Sequence, residues 1–138
     1  MTEQTVHAEG TIEVSRWEPA AFDEIEGGSS LVQIDVAESL TGDLVGQGAA
    51  RMLQVLRPDG SATFCAVERI TGVLAGRHGT FVLQDTGVLG ASGDVSGTWS
   101  VVPGSGTGRL AGLRGDGGFS AVLGSHATFT LDYRFEEG

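Results

Sequence analysis

Between Pro103 and Gly118 the chain reads PGSGTGRLAGLRGDGG, sixteen residues of which seven are glycine. Gly104, Gly106 and Gly108 have the spacing of a loop whose backbone amides cradle a phosphate, and RLAGLRG after them resembles the start of a helix. A phosphate loop of that kind needs a buried parallel strand before it, a long helix after it and a surrounding βαβ unit. Only the short apolar WSVV (99–102) precedes it, and TGRLAGLRG is too short and glycine-rich for more than one helical turn. The stretch therefore reads as a glycine corner between two strands, pinned locally by the Thr107 hydroxyl and nearby amides.

Outward from the corner the pattern has period two. HATFTLDYRFEE (126–137) puts Ala127, Phe129, Leu131, Tyr133 and Phe135 on one face and polar residues on the other, the signature of a half-buried strand. Similar runs cover about 6–17, 30–41, 44–57, 61–74, 79–89, 94–102 and 117–123, with turn chemistry such as PDG and AGRHG between them. WEPAAFDEI (17–25) has room for one irregular turn. Eight short strands with almost no helix predict an all-β fold, an antiparallel meander closed into a barrel, since closure removes exposed sheet edges. Gly46, Gly48, Gly72 and Gly87 fall inside strand runs, where bulges or sharp bends are expected.

At 138 residues the chain suits one domain, residues 1–138, able to fold without staples. Eight arginines, no lysine and eighteen acids give a charge of −10, which repels nucleic acid and anionic membrane, so neither is an expected partner. No apolar run approaches the roughly 20 residues that span a bilayer. MTEQTVHAEG lacks the basic start and apolar centre of a signal peptide, and the single Cys65 forms no internal disulfide, so a cytoplasmic location is expected.

The segments GSATFCAVERITGVLAGRHGTFVLQDTGVL, WSVVPGSGTGRLAGLRGDGGF and FTLDYRFE together resemble an uncharacterised bacterial family of allene-oxide-cyclase-like barrels, domain-of-unknown-function family 3224. The similarity spans nearly the whole chain. It implies an eight-stranded barrel of the allene oxide cyclase and dirigent type. Proteins on that barrel include cofactor-free cyclases and radical-orienting dirigent proteins, and the fold does not choose between them. The family pattern commonly has His after FVLQ, where this chain has Asp85. An imidazole role at that position is not carried over.

Strand parity points to a candidate site. In TFCAVERIT the face with Phe64, Ala66, Glu68 and Ile70 is the more apolar and excludes Arg69; in TFVLQDTG the matching face is Phe81, Leu83 and Asp85. A turn centred on Gly76 and Arg77 sets Glu68 directly opposite Asp85 inside the barrel. Two carboxyls in a poorly hydrated lumen cannot both ionise freely, so one holds a proton near neutral pH and can serve as acid or base. The alternative is that one accepts a structural hydrogen bond or is turned outward by a bulge. Arg51 belongs to the outer face of its strand, opposite Ala50, Met52 and Gln54.

Phe64, Ile70, Phe81, Leu83, Trp99, Phe129 and Tyr133 are the expected ligand-contacting residues, while Trp17 and Trp99 either fill the core or wall a cavity. His7, His78 and His126 lie in separate segments without a carboxylate or thiol at ligand spacing, so no metal is expected. No base is placed to activate Ser92, Ser105, Ser125 or Cys65, and Cys65 reads as a buried or interface thiol. The partly apolar outer faces, with Cys65, Val67 and Val82, indicate a homodimer. Together these features predict a barrel that holds one apolar or mixed-polarity small molecule and, if it is an enzyme, isomerises or cyclises it without a cofactor. The competing expectation is an assembly barrel filled by its own side chains; a lumen above roughly 300 Å³ favours the ligand.

Overall fold

A computed structural model describes residues 4–122 and 127–136. The elements are β1 (Val6–Asp23), β2 (Ser30–Gly42), β3 (Leu44–Leu56), β4 (Ala62–Leu74), β5 (Arg77–Leu89), β6 (Val95–Val101), β7 (Thr107–Gly108), β8 (Leu113–Ala121) and β9 (Ala127–Phe135). Each of the eight long strands pairs antiparallel with two neighbours, in the circular order β1, β2, β3, β4, β5, β6, β8, β9 and back to β1. The β1–β9 seam runs from Val6↔Tyr133 to Ile12↔Ala127, and it is this pairing that closes the barrel. The two-residue β7 adds to the edge of β5 at Gly79 and Thr80, beyond the point where β6 ends. Among the described residues no helix is long and apolar enough to cross a membrane.

Alternation assigns the faces as the sequence predicts. Even positions of β2, β3 and β4 point inward (Ile34, Ala50, Phe64), and odd positions of β5, β6, β8 and β9 do so (Phe81, Trp99, Leu113, Leu131). On β1 the register shifts between Val14 and Arg16, leaving Ser15 as an extra residue. The inward parity therefore passes from even residues such as Ile12 to odd ones, and Trp17 comes to lie opposite buried Val36. The expected irregular turn at 17–25 is absent. β1 continues to Asp23 because its second half pairs with β2 down to Leu31.

The strand glycines mark close approaches, not bulges. Gly46, Gly48, Gly72 and Gly87 sit in uninterrupted register. Gly46 and Gly72 face each other so tightly that a methyl on either would meet the partner backbone. Phe64 pairs with Gly87 and Phe119 with Gly97, and each ring occupies the space a side chain on its glycine would take. The two rings meet over this glycine floor with centroids 6.2 Å apart.

The glycine corner is confirmed as a corner and has a further use. Thr107 Oγ1 accepts from the Thr80 amide (3.2 Å) and shares a 2.6 Å hydrogen bond with the Thr80 hydroxyl. Ser105 Oγ accepts from the Val82 amide at 3.0 Å. So anchored, the segment turns Leu110 into the end of the barrel, where it is fully buried against Gly79. That end is packed by Leu40, Leu44, Leu74, Phe81, Leu113 and Phe135, among others.

The β4–β5 turn differs from expectation. Its central residues are Ala75 (φ 53°) and Gly76 (φ 75°), and Leu74 pairs with Arg77. Positive φ at both central residues is the geometry that matches the natural strand twist. It moves the register by two residues from the expected one, so Glu68 faces Leu83 and Asp85 faces Ala66. A shift of two preserves the face, and both carboxyls still point inward.

Two backbone positions test this description. Gly108 has φ 61°, so Gly108→Val should lower stability by about 1–3 kcal/mol. Ala75→Gly should instead raise it by up to about 1 kcal/mol, because alanine bears the cost of a left-handed conformation there. Thermal melts of the two variants should move in opposite directions.

Candidate functional site

The barrel is not filled evenly. Its buried apolar residues form two clusters, a large one running from Ala8 and Ile12 to Phe135 and a small one of Val32, Ile34, Val36 and Ala50. A cavity of about 230 Å³ borders both. Its walls are mainly apolar, with Trp17, Val36, Met52, Phe64, Trp99 and Phe119 the larger contributors. Leu89, Val95, Ala121 and Ala127 also line it, which places it toward the end opposite Leu110. The half-exposed Val14 and Trp17 form its mouth beside β1. The volume is below the roughly 300 Å³ expected of a ligand pocket, yet the interior is not filled by side chains.

Three carboxyls enter this apolar space: Glu38 from β2, Glu68 from β4 and Asp85 from β5, at 9%, 2% and 6% exposure. Glu68 lies across Gly48, where even a methyl would collide with its Oε2. Gly48 is the β3 partner of Glu38, so the bare glycine lets the Glu68 carboxyl reach across β3 toward Glu38. Trp99 is the β6 partner of Asp85 and is fixed by its own hydrogen bond, Nε1 donating to the Thr130 carbonyl at 2.9 Å.

Burial raises the Glu68 pKa far above the ordinary carboxylate range, helped by its hydrogen bond to Glu38 and by the charges of Glu38 and Asp85. Glu68 is therefore neutral at pH 7. Asp85 is pushed up to about 7, first by burial and then by the Glu38 charge. Neutral Glu68 carries no charge to raise Asp85, whereas ionised Asp85 does raise Glu68. As carboxylates, Glu68 Oε2 and Asp85 Oδ1 find no hydrogen-bond donor in the protein. A proton on Glu68 turns its contact with Glu38 into a hydrogen bond; Asp85 Oδ1 is left buried and unpaired in the cavity wall.

Of the residues expected to contact a ligand, Phe64 and Trp99 line the cavity with Glu68 and Asp85. Ile70, Phe81, Leu83, Phe129 and Tyr133 do not. They belong to the larger core cluster, because beyond the level of the carboxyls the strands run into the end plugged by Leu110. Phe129 packs its ring on Trp99 (5.8 Å) from outside the cavity and over Gly10. Trp17 and Trp99 are both cavity walls, Trp99 being core as well.

Glu38, Gln54 and Ser120 complete the described polar lining. Glu38 escaped the sequence reading although its signal was present: in LVQIDVAESL it occupies the next even position after Val32, Ile34 and Val36 and before Leu40. Cys65 is exposed rather than buried. His7 is on the outer face, bonded to Asp132 (2.6 Å) and Glu9 (3.2 Å). Ser125 and His126 lie outside the described residues.

The raised carboxyls give a stability profile of definite sign. A group that holds its proton more tightly when folded stabilises the fold below its unfolded pKa, and this contribution is lost as pH rises to the folded value. For Asp85 that window runs from 3.8 to about 7. Denaturant titrations should show stability falling across it, the Asp85 share being on the order of 2 to 4 kcal/mol; Asp85→Asn should remove that share and leave the fall due to Glu68. Glu68→Gln should be neutral or stabilising at pH 7, since it removes an acid that ionises only on unfolding.

The chain is similar over its whole length to a crystal structure of a protein of unknown function from the DUF3224 family of Shewanella oneidensis MR-1. The two are 28% identical, with a TM-score of 0.83 and 98% and 100% of the respective chains covered. A protein of unknown function from Clostridium acetobutylicum ATCC 824 shares the fold, at 12% identity and a TM-score of 0.52 over 96% and 98% of the chains. No curated protein matches the chain. The family described as "Protein of unknown function (DUF3224)" matches residues 8–133, from the closing seam on β1 to its partner on β9, and the chain belongs to that family.

Proposed function

We propose that this barrel binds one small molecule of mixed polarity in its lumen and moves a proton on it, as a cofactor-independent isomerase or cyclase. The observation that carries this reading is Asp85 in the wall of an apolar cavity, with its buried Oδ1 lacking a hydrogen-bond partner. A carboxyl is costly in such a place unless a ligand group completes it. With a pKa of about 7, Asp85 can take a proton and return it at neutral pH. Glu68, its one proton engaged with Glu38, is neutral and adds no charge beside Asp85, which leaves Asp85 as the group that exchanges a proton with the ligand. Trp99, Phe64 and Phe119 would hold the apolar body in one reactive conformation. The lone, exposed Cys65 suits a reducing compartment, in keeping with the cytoplasm.

Ala66 lines the cavity between Met52 and Asp85, and Ala66→Leu should fill part of it without disturbing the strands. Native mass spectrometry of protein from its own host should reveal a small bound mass in the parent chain and none in Ala66→Leu. Exchange of the protons beside the carbonyl of phenylacetone, followed by NMR in deuterated buffer, should be accelerated by the parent and not by Asp85→Asn. Binding without exchange would identify a non-catalytic binding barrel.

We also propose that two copies pair through the outer face of β3, β4 and β5. In support, Leu53, Val55, Val67 and Val88 are each at least two-fifths exposed there, beside Cys65. Leu53→Asp should convert a dimer to a monomer in analytical ultracentrifugation; a parent chain that is already monomeric overturns the pairing.

A further inference from the structure

Resting on the lumen-binding reading, we infer that the ligand is an organic cation: an amine on an aromatic or alkyl body, its ammonium group at Asp85 and Glu38. The described polar lining consists of Glu38, Gln54, Glu68, Asp85 and Ser120; no described Arg or His lines the cavity, and the sequence has no Lys. Every charge that the described lining can carry is therefore negative.

Each class of ligand meets this lining differently. A carboxylate or phosphate would bring further negative charge beside Glu38 with no cation to offset it. A neutral polar group could take up one hydrogen bond but would leave the repulsion between the carboxyls untouched. A protonated amine donates up to three hydrogen bonds, can satisfy Asp85 Oδ1, and offsets the negative charge that Glu38 imposes on Asp85. Trp17, Phe64, Trp99 and Phe119 add the aromatic faces to which cations are drawn. A bare metal ion fits poorly, because the surrounding wall is hydrocarbon, and no cluster of metal-ligating side chains occurs among the described residues. Size narrows the class further. A cavity of about 150 Å³ accepts benzene, so one of about 230 Å³ takes roughly nine non-hydrogen atoms.

The groups that face Asp85 set the pH dependence. Glu68 comes from β4 and Glu38 from β2, while β3 offers only the neutral Gln54, β6 Trp99, β8 Ser120 and β1 no ionisable side chain toward the cavity. Arg51 and Arg69 lie on the outer face. A cation bound here pulls the Asp85 pKa down, so binding near pH 7 releases part of a proton.

The test uses three probes of similar size, namely phenethylamine, phenylethanol and phenylacetate, titrated calorimetrically into the intact chain. At pH 8 phenethylamine should bind about tenfold or more tighter than phenylethanol, and phenylacetate should bind weakest. Amine affinity should fall as pH drops from 8 to 5.5, and heats in two buffers of different ionisation enthalpy should reveal proton release at pH 7. Asp85→Asn should bring amine affinity down to that of the alcohol while alcohol binding persists. Glu38→Gln serves as a second variant with the same expectation. If phenylethanol or phenylacetate binds as well as the amine, the cation inference fails and lumen binding stands. If none of the three binds, and Ala66→Leu changes nothing, both fail.

Discussion

A closed barrel of eight strands encloses a fixed volume, and every inward side chain competes for it. That competition organises this molecule. At one end Leu110, Leu74, Phe81 and their neighbours use all the space. Toward the other, Ala50, Ala66, Ala121 and Ala127 use little, and the cavity is the difference. The glycines serve the same economy of space: Gly87 and Gly97 admit two phenylalanine rings, and Gly48 admits a carboxyl. One small residue at the right ladder position decides whether its neighbour packs, tilts or reaches across.

Placing three acids in such a lumen opposes stability. Leucine or methionine at positions 38, 68 and 85 would fill the space and remove the desolvation cost, as apolar replacement of buried ionic groups commonly does. The retained acids instead share protons, with Glu68 neutral against Glu38 and Asp85 poised near neutrality. Sites that lower stability while making a defined chemical environment are where natural sequences depart from the rules of good packing. The rest of the fold supports that departure: Trp99 is fixed by Thr130, Phe129 backs Trp99, and the corner at Thr107 holds the plugged end shut.

Most of the fold was legible because period two survives in nearly every strand. Inward and outward sets on β4, β5 and β9 could be read directly, and with them the inward aim of Glu68 and Asp85. Exact pairing was less legible. Whether a turn centres on Ala75–Gly76 or on Gly76–Arg77 depends on which residue tolerates a left-handed backbone, and alanine gives no sign that it does. The bulge at Ser15 was equally silent, since one extra residue alters parity without altering composition. Glu38 was visible as an acid in an apolar alternation, but its meeting with Glu68 depends on Gly48 of the strand between them, which neither segment reveals when read alone. The division between packed and open ends needed three dimensions, because Leu110 reaches the interior from a corner that resembles ordinary loop.

The seam between β1 and β9 joins the first strand of the barrel to the last, His7 bonding Asp132 across 125 residues of sequence. A ribosome releases residues in order, so β1 must wait with one edge unpaired until β9 has emerged. Through that interval the nascent sheet is open, its edge available to other chains, and its future lumen exposed to water. Contacts so distant in sequence also make closure slow once the chain is free. Three inward acids keep that half-built surface from being uniformly greasy, so the features that burden the finished barrel guard the unfinished one.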